Sequence, residues 1–399
     1  MTVPADISAS NVRLNRKLSQ KDWALLPLIS LLTVGGLAVS AELFARRIYY
    51  RPPSTNERCL IYKDPSIGVG ASPNAVCKTI DTGQLVEYRF NSCGFRTSLS
   101  CTQKAPAAFR IVMLGSSTAM GLGVPEKKSF AALLPIELSQ LTGRQVELYN
   151  EGLVPSHPEI IARWFNQALD PKPDLILWVV TPYDVQVSGE APEVEPEAQA
   201  GAAAKAIFLI KNRPAGQSML DAMRGVWINY SRTAVLLRHI LYKSPSQFLK
   251  SYLMSDVVSG YLKEEPTELW QKRLKLFDGY AASISLQAKA AGVPLVVVQL
   301  PSRAQVLMVS TGDWPNGYDP YMLNHVLKAI VANHGDTYLD SLRAYRNSYD
   351  LDQVFQQADE HPNEAGQDLI AGDLAVQFTS GVIPQLKAVG NARLQTARE

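Results

Sequence analysis

Arg110-Ile111-Val112-Met113-Leu114-Gly115-Ser116-Ser117-Thr118-Ala119-Met120-Gly121 is an apolar run closed by Gly-x-Ser, with a further glycine four residues past the second serine. A short continuous apolar run of this kind predicts a strand buried on both faces, as in a parallel sheet. Ser117 then opens a helix, whose first-turn N–H groups lack intrahelical partners and face whatever the hydroxyl attacks. A serine so placed stands at the carboxyl end of the sheet, where open α/β folds hold their ligands.

Outward from this stretch the pattern alternates. It predicts strands over 110–114, 146–149 and 175–180, with helices over 130–141 and 158–169 between them. After a break it predicts a helix over 270–291, a strand over 294–300, a helix over 321–333, a strand over 337–339 and a helix over 364–379. Apolar strands separated by helices give a doubly wound parallel α/β sheet in a three-layer sandwich. The break is an insertion of about 188–265: 188–205 is rich in Ala, Pro and Glu, and 206–262 holds amphipathic helical pieces including Arg238-His239-Ile240-Leu241-Tyr242.

A second fragment far downstream, Asp359-Glu360-His361-Pro362-Asn363-Glu364-Ala365-Gly366, places an imidazole and a carboxylate in one turn. A serine is a weak nucleophile until a base takes its proton, and the base needs its other nitrogen held in the correct tautomer. Ser117, His361 and Asp359 thus make a candidate nucleophile, base and orienter for acyl transfer, with Asp340 as a competing acid. The oxyanion of such a reaction needs fixed donors. Candidates are the N–H of Ser117 and that of Gly152 in Asn150-Glu151-Gly152, where the missing Cβ lets an amide approach substrate. Arg303, just past the strand over 294–300, is a candidate cleft contact, with a surface salt-bridge partner as the plainer reading. His157 reads as a surface loop residue, and His239, His325 and His334 as structural.

The chain has 399 residues, 46% of them hydrophobic, and a net charge of +2. It carries no dense Lys/Arg cluster interleaved with aromatics, which argues against a nucleic-acid partner. It shows no metal-ligand spacing, and Gly121-Leu122-Gly123 lacks the Lys and Ser/Thr of a phosphate loop, so neither metal nor cofactor is expected.

Residues 23–41 carry no charge, a run of 19. At about 1.5 Å per residue that spans roughly a ~30 Å hydrocarbon core. Arg13, Arg16, Lys17 and Lys21 precede it, and Arg46, Arg47 and Arg51 follow. This balance favours a cytoplasmic N-terminus. All four cysteines, Cys59, Cys77, Cys93 and Cys101, fall just after the run. An even, clustered set predicts disulfides and an oxidising compartment. The expected organisation is a tail over 1–22, a bilayer anchor over 23–45 and a cysteine-containing β-rich lead-in over 46–105. The catalytic domain then spans 106–385, with a tail over 386–399. The expected location is the inner (cytoplasmic) membrane, crossed once, with the catalytic domain periplasmic or otherwise extracytoplasmic.

Taken together, these blocks resemble the GDSL/SGNH hydrolase superfamily in its membrane-anchored bacterial branch. Gly115-Ser116-Ser117-x-x-x-Gly121 is similar to its first block, Asn150-Glu151-Gly152 to its second and Asp359-Glu360-His361-Pro362-Asn363 to its fifth. Asn91-Ser92-Cys93-Gly94-Phe95-Arg96 resembles an Asn-x-x-Gly-Phe-Arg lead-in of such proteins. Two positions depart from the pattern. Ser116 stands where the family usually has aspartate, and the third block, usually Gly-x-Asn-Asp, reads Thr181-Pro182-Tyr183-Asp184. The resemblance implies an oxyanion donor at Tyr183, with Asp184 beside it. It implies a serine-dependent acyl ester hydrolase acting on O-acylated carbohydrate or envelope glycan. An O-acyltransferase using the same residues with a membrane acyl-donor protein, and an inactive glycan-binding scaffold, are the alternatives.

Overall fold

The computed structural model describes residues 20–48, 60–64, 68–81, 84–100, 105, 107–153, 156–189, 231–356 and 359–388. The expected low-complexity stretch at 190–205, Cys59, Cys101 and the C-terminal tail beyond 388 lie outside them.

The first helix, α1 (Gln20–Ile48), contains the uncharged run and is long and apolar enough to cross a membrane. Two antiparallel hairpins follow, β1 (Leu60–Asp64) with β2 (Gly68–Ala71) and β3 (Val76–Asp81) with β4 (Gln84–Arg89). Both hairpins fall within the stretch 46–105 that the sequence reading takes as a β-rich lead-in. Cys77 on β3 and Cys93 beyond β4 are each disulfide-bonded.

The α/β rhythm then runs as β5 (Phe109–Leu114), α2 (Ser117–Met120), α3 (Phe130–Thr142), β6 (Val146–Asn150), α4 (Pro158–Leu169), β7 (Leu175–Val180) and α5 (Pro182–Gln186). The insertion contributes α6 (Arg232–Lys243), α7 (Pro245–Leu253) and α8 (Asp256–Ser259). The rhythm resumes with α9 (Glu268–Ala290), β8 (Leu295–Gln299), α10 (Arg303–Thr311), α11 (Met322–Asn333), β9 (Thr337–Asp340) and α12 (Glu364–Gln377).

All five strands of the main sheet are parallel, in the order β6-β5-β7-β8-β9. Every residue of β5, β6, β7 and β8 is buried, and β7 accordingly reads as an unbroken apolar run, while β5, β6 and β8 also bury Arg110, Glu147, Asn150 and Gln299. β9 closes the edge and is only partly buried. Helix α3 packs on α12 and α4 on α9, so two helical layers enclose the sheet. The chain leaves β5 toward β6 and later returns past it to β7. This reversal makes the β5/β7 boundary the switch point of the fold, where a crevice opens at the strand ends. Ser117 follows β5, and the turn of Thr181 to Asp184 follows β7.

α10 is absent from the sequence prediction. Its residues 303–310 are all buried, so it carries no polar face to give a helical period.

Candidate active site

Strand β5 ends at Gly115, whose φ of +149° and surroundings exclude a side chain. A Cβ there would stand 2.6 Å from Ala119 Cβ and 2.9 Å from Val179 O. The chain therefore turns from strand to helix within two residues and leaves Ser117 at the first position of α2, partly exposed.

Across 244 residues of sequence, His361 Nε2 lies 2.7 Å from Ser117 Oγ. Its other ring nitrogen, Nδ1, is 2.5 Å from Asp359 Oδ1, and the backbone N–H of His361 donates to the same oxygen at 3.0 Å. The three residues named from the sequence are thus brought into one hydrogen-bonded line. Asp340 is not the acid: its Oδ1 accepts from Leu342 N–H behind β9.

The loop bearing His361 is fixed from several sides. Asn363 caps α12 by accepting from Gly366 N–H, and its Nδ2 donates to the carbonyls of Asp352 and Phe355. Gln356, buried, holds the loop to the segment just past α2: its N–H donates to His361 O at 2.8 Å, and its Nε2 donates to Leu122 O at 2.6 Å. Sequence reading passes over Gln356, because no local pattern marks a residue whose partner lies 234 positions away.

Arg303 is corrected by the structure. It is neither a cleft contact nor a surface ion pair but 1% exposed, with Nη2 2.6 Å from Asp352 Oδ1 and Nη1 donating to Gln356 O. Its guanidinium lies over the rings of Phe248 and Phe355. It therefore braces the segment that carries Gln356.

The Asn150-Gly152 turn is corrected as well. Gly152 N–H donates to Asn150 Oδ1 at 2.8 Å, and Asn150 Nδ2 donates to Ala119 O at 3.0 Å. A Cβ on Gly152 would stand 2.4 Å from Met120 N, so glycine is required there by contact with α2 rather than by an approaching substrate. Both residues hold α2 in place.

The lead-in motif serves the same helix. Arg96 is 2% exposed; its Nη1 donates to Met120 O and to Gly121 O, and its Nη2 donates to Val124 O at 2.7 Å. These are carbonyls that the short helix cannot satisfy itself. Burial pulls the Arg96 pKa below its ordinary value, and the Tyr88 ring lies 4.4 Å from the guanidinium.

The third block supplies a carboxylate, turned inward. Asp184 is 3% exposed and caps α5 by accepting from Thr181 N–H (2.7 Å) and Thr181 Oγ1 (2.6 Å). Burial raises its pKa, although Thr181 and the neighbouring Ser116 favour the charged form. The expectation of a binding role for Asp184 is thereby replaced by a capping one. Tyr183, from the same turn, is 57% exposed. His157 is the N-cap residue of α4, at the end of the loop after β6, and is partly buried. His334, as expected, is structural and pairs with Asp278 at 2.7 Å. Among the described residues no group of His, Cys, Asp and Glu could hold a metal ion.

No family model matches the chain, and no curated protein matches it in sequence. Among solved structures it is similar to an α/β hydrolase enzyme from the metagenome of Lake Arreo, Spain, at 13% identity, covering 67% of this chain and 94% of that one with a TM-score of 0.37. It is similar to a psychrotrophic esterase from a Pseudoalteromonas species at 12% identity, covering 67% and 96% with a TM-score of 0.35. A protein assigned to the lipolytic G-D-S-L family from Desulfitobacterium hafniense matches at 13% identity, covering 67% and 98% with a TM-score of 0.33. At these identities the chemistry is read from the chain's own residues. The serine after the first strand of the sheet, Asn-x-Gly after the second and Asp-x-His before the last helix form the GDSL/SGNH-like arrangement that the sequence blocks imply.

Proposed function

We propose that the chain is a serine-dependent acyl ester hydrolase in which Ser117 is the nucleophile, His361 the general base and Asp359 the orienter. One observation carries this reading: His361 reaches Ser117 Oγ with one nitrogen while Asp359 holds the other. The neutral imidazole takes the serine proton as Oγ attacks the acyl carbon, and the imidazolium then returns that proton to the leaving alcohol. Water activated by the same imidazole releases the acyl group from Ser117. The N–H of Ser117, at the open end of α2, is the donor placed for the oxyanion.

Sequence resemblance, rather than geometry, supports an O-acylated carbohydrate or envelope glycan as the substrate. Transfer to a sugar hydroxyl would use the same three residues, so the acceptor alone separates hydrolase from transferase. Support for an anchored protein with its catalytic domain in the periplasm comes from α1 and from the disulfide-bonded Cys77 and Cys93.

The purified full chain is expected to hydrolyse a nitrophenyl acetate, with Ser117→Ala slower by at least about a thousandfold. Equal rates from the two proteins would overturn the reading and leave a binding scaffold. Offering oligosaccharide acceptors and finding acylated sugar by mass spectrometry would establish transfer; free acid alone would exclude it for those acceptors.

A further inference from the structure

Helix α6 of the insertion begins on the anchor helix. Glu42 is the first charged residue after the uncharged run, and its carboxylate accepts from Ser231 Oγ (2.7 Å), Arg232 N–H (3.0 Å), Thr233 N–H (3.1 Å) and Thr233 Oγ1 (3.0 Å). These are the orphan N–H groups of the α6 N-terminus, so a side chain of α1 caps a helix 190 residues away. Ala45, one turn beyond Glu42, is 1% exposed, and Ala234 is 8% exposed. If α1 spans the bilayer, α6 starts at the level where hydrocarbon gives way to headgroups.

From that point α6 and α7 have the composition of a surface-seated pair. Residues 231–255 contain Arg232, Arg238, Lys243 and Lys250 and no Asp or Glu. Leu237 and Ile240, three residues apart and so on one helical face, are 47% and 54% exposed. Met254 beyond α7 is 82% exposed. Apolar side chains on one face with cations around them are what an interfacial helix lays into a lipid surface. The positive sign, continued at the end of α1 by Arg47 beside the Arg46–Glu42 pair, selects anionic headgroups.

We infer that α6 and α7 lie on the anionic lipid surface beside the anchor, fastened there by Glu42, and seat the catalytic domain against the membrane. The inference rests on the anchored reading above. The contact extends into the site's surroundings: α7 packs on α10, where Phe248 meets Arg303, and Arg303 holds the Gln356 segment beside His361. The insertion thus joins the membrane face to the loop that carries the base.

The test uses the full chain reconstituted in phosphatidylcholine vesicles containing about a third phosphatidylglycerol. An environment-sensitive fluorophore is placed on Leu31→Cys in the anchor, Ile240→Cys on α6 or Val376→Cys on α12. Quenching is read from lipids carrying a nitroxide at a shallow depth or deep in the chain. Expected are deep quenching at 31, shallow quenching at 240 and none at 376, with quenching at 240 falling at least twofold in Lys243→Glu/Lys250→Glu. Quenching at 31 without quenching at 240 would overturn the surface contact while the anchor stands. Absence of quenching at 31 would overturn the anchor, and the surface contact with it. Quenching at 240 that is indifferent to the two charge reversals would overturn the anionic headgroup as the partner.

Discussion

Ser116 faces the buried carboxylate of Asp184 and favours its charged form, so the residue immediately ahead of Ser117 meets the turn that follows β7. The sequence block that Gly115-Ser116-Ser117 resembles usually carries aspartate at this position; here the Asp184 carboxylate, from the turn after β7, stands against it instead.

This pairing makes Ser116 sensitive to charge. Ser116→Ala removes a hydroxyl that favours the Asp184 carboxylate and loosens the start of α2; kcat should fall about tenfold with little change in KM. Ser116→Asp, the family's usual residue, should be worse than alanine, because two carboxylates would then share one buried site. Steady-state kinetics on a nitrophenyl ester check both. An aspartate variant as active as the parent would show that Asp184 does not face this position.

From within the core, Arg96 satisfies the carbonyl of Met120 at the end of α2 and those of Gly121 and Val124 beyond it. A lysine there offers a single ammonium in place of a fork and cannot span Gly121 and Val124 together. Arg96→Lys is expected to cost about 2–3 kcal/mol, seen as a melting temperature lower by roughly 5–10 °C. A variant that melts with the parent would mean that water replaces the guanidinium at no loss.

Gln356 sets the distance between the two halves of the site, since one of its groups bonds Leu122 beyond Ser117 and another bonds His361. Gln356→Leu keeps the volume and removes the donor to Leu122. Displacing the imidazole by an ångström costs on the order of a hundredfold, so kcat should fall about that far while KM changes little. A fall in KM and kcat in the same proportion, or no fall, would assign Gln356 to packing alone.

How much of this was legible in the sequence depends on whether the signal was local. β7 over 175–180 and α4 over 158–169 read correctly to the residue, because a fully buried strand is an unbroken apolar run and an amphipathic helix repeats within one turn. Ser117, His361 and Asp359 were legible because each stands in a short block. α10 was not, although Ser302 and Gln305 form a capping box that marks its start in the sequence. The roles of Asn150, Gly152, Asp184 and Arg303 were misread for one shared reason. Their positions at strand ends are visible in sequence, but the partner that occupies each polar group is distant and is settled only by packing.

Away from the site, α3 and α12 face each other across a pair of acids. Burial, and then the neighbouring Asp368, raise the Glu137 pKa above its ordinary 4.5. The folded chain therefore holds this proton more tightly than the unfolded chain does. The resulting stability is fully present below about pH 4.5 and is lost as pH rises through the folded value. Glutamine cannot lose that proton. Glu137→Gln should melt with the parent near pH 4 and above it by roughly 1–2 °C at pH 7, with the gap opening as pH rises. Calorimetry across this range checks the sign. A gap that closes toward neutrality would mean that the Glu137 carboxylate is stabilised, not strained, between the two helices.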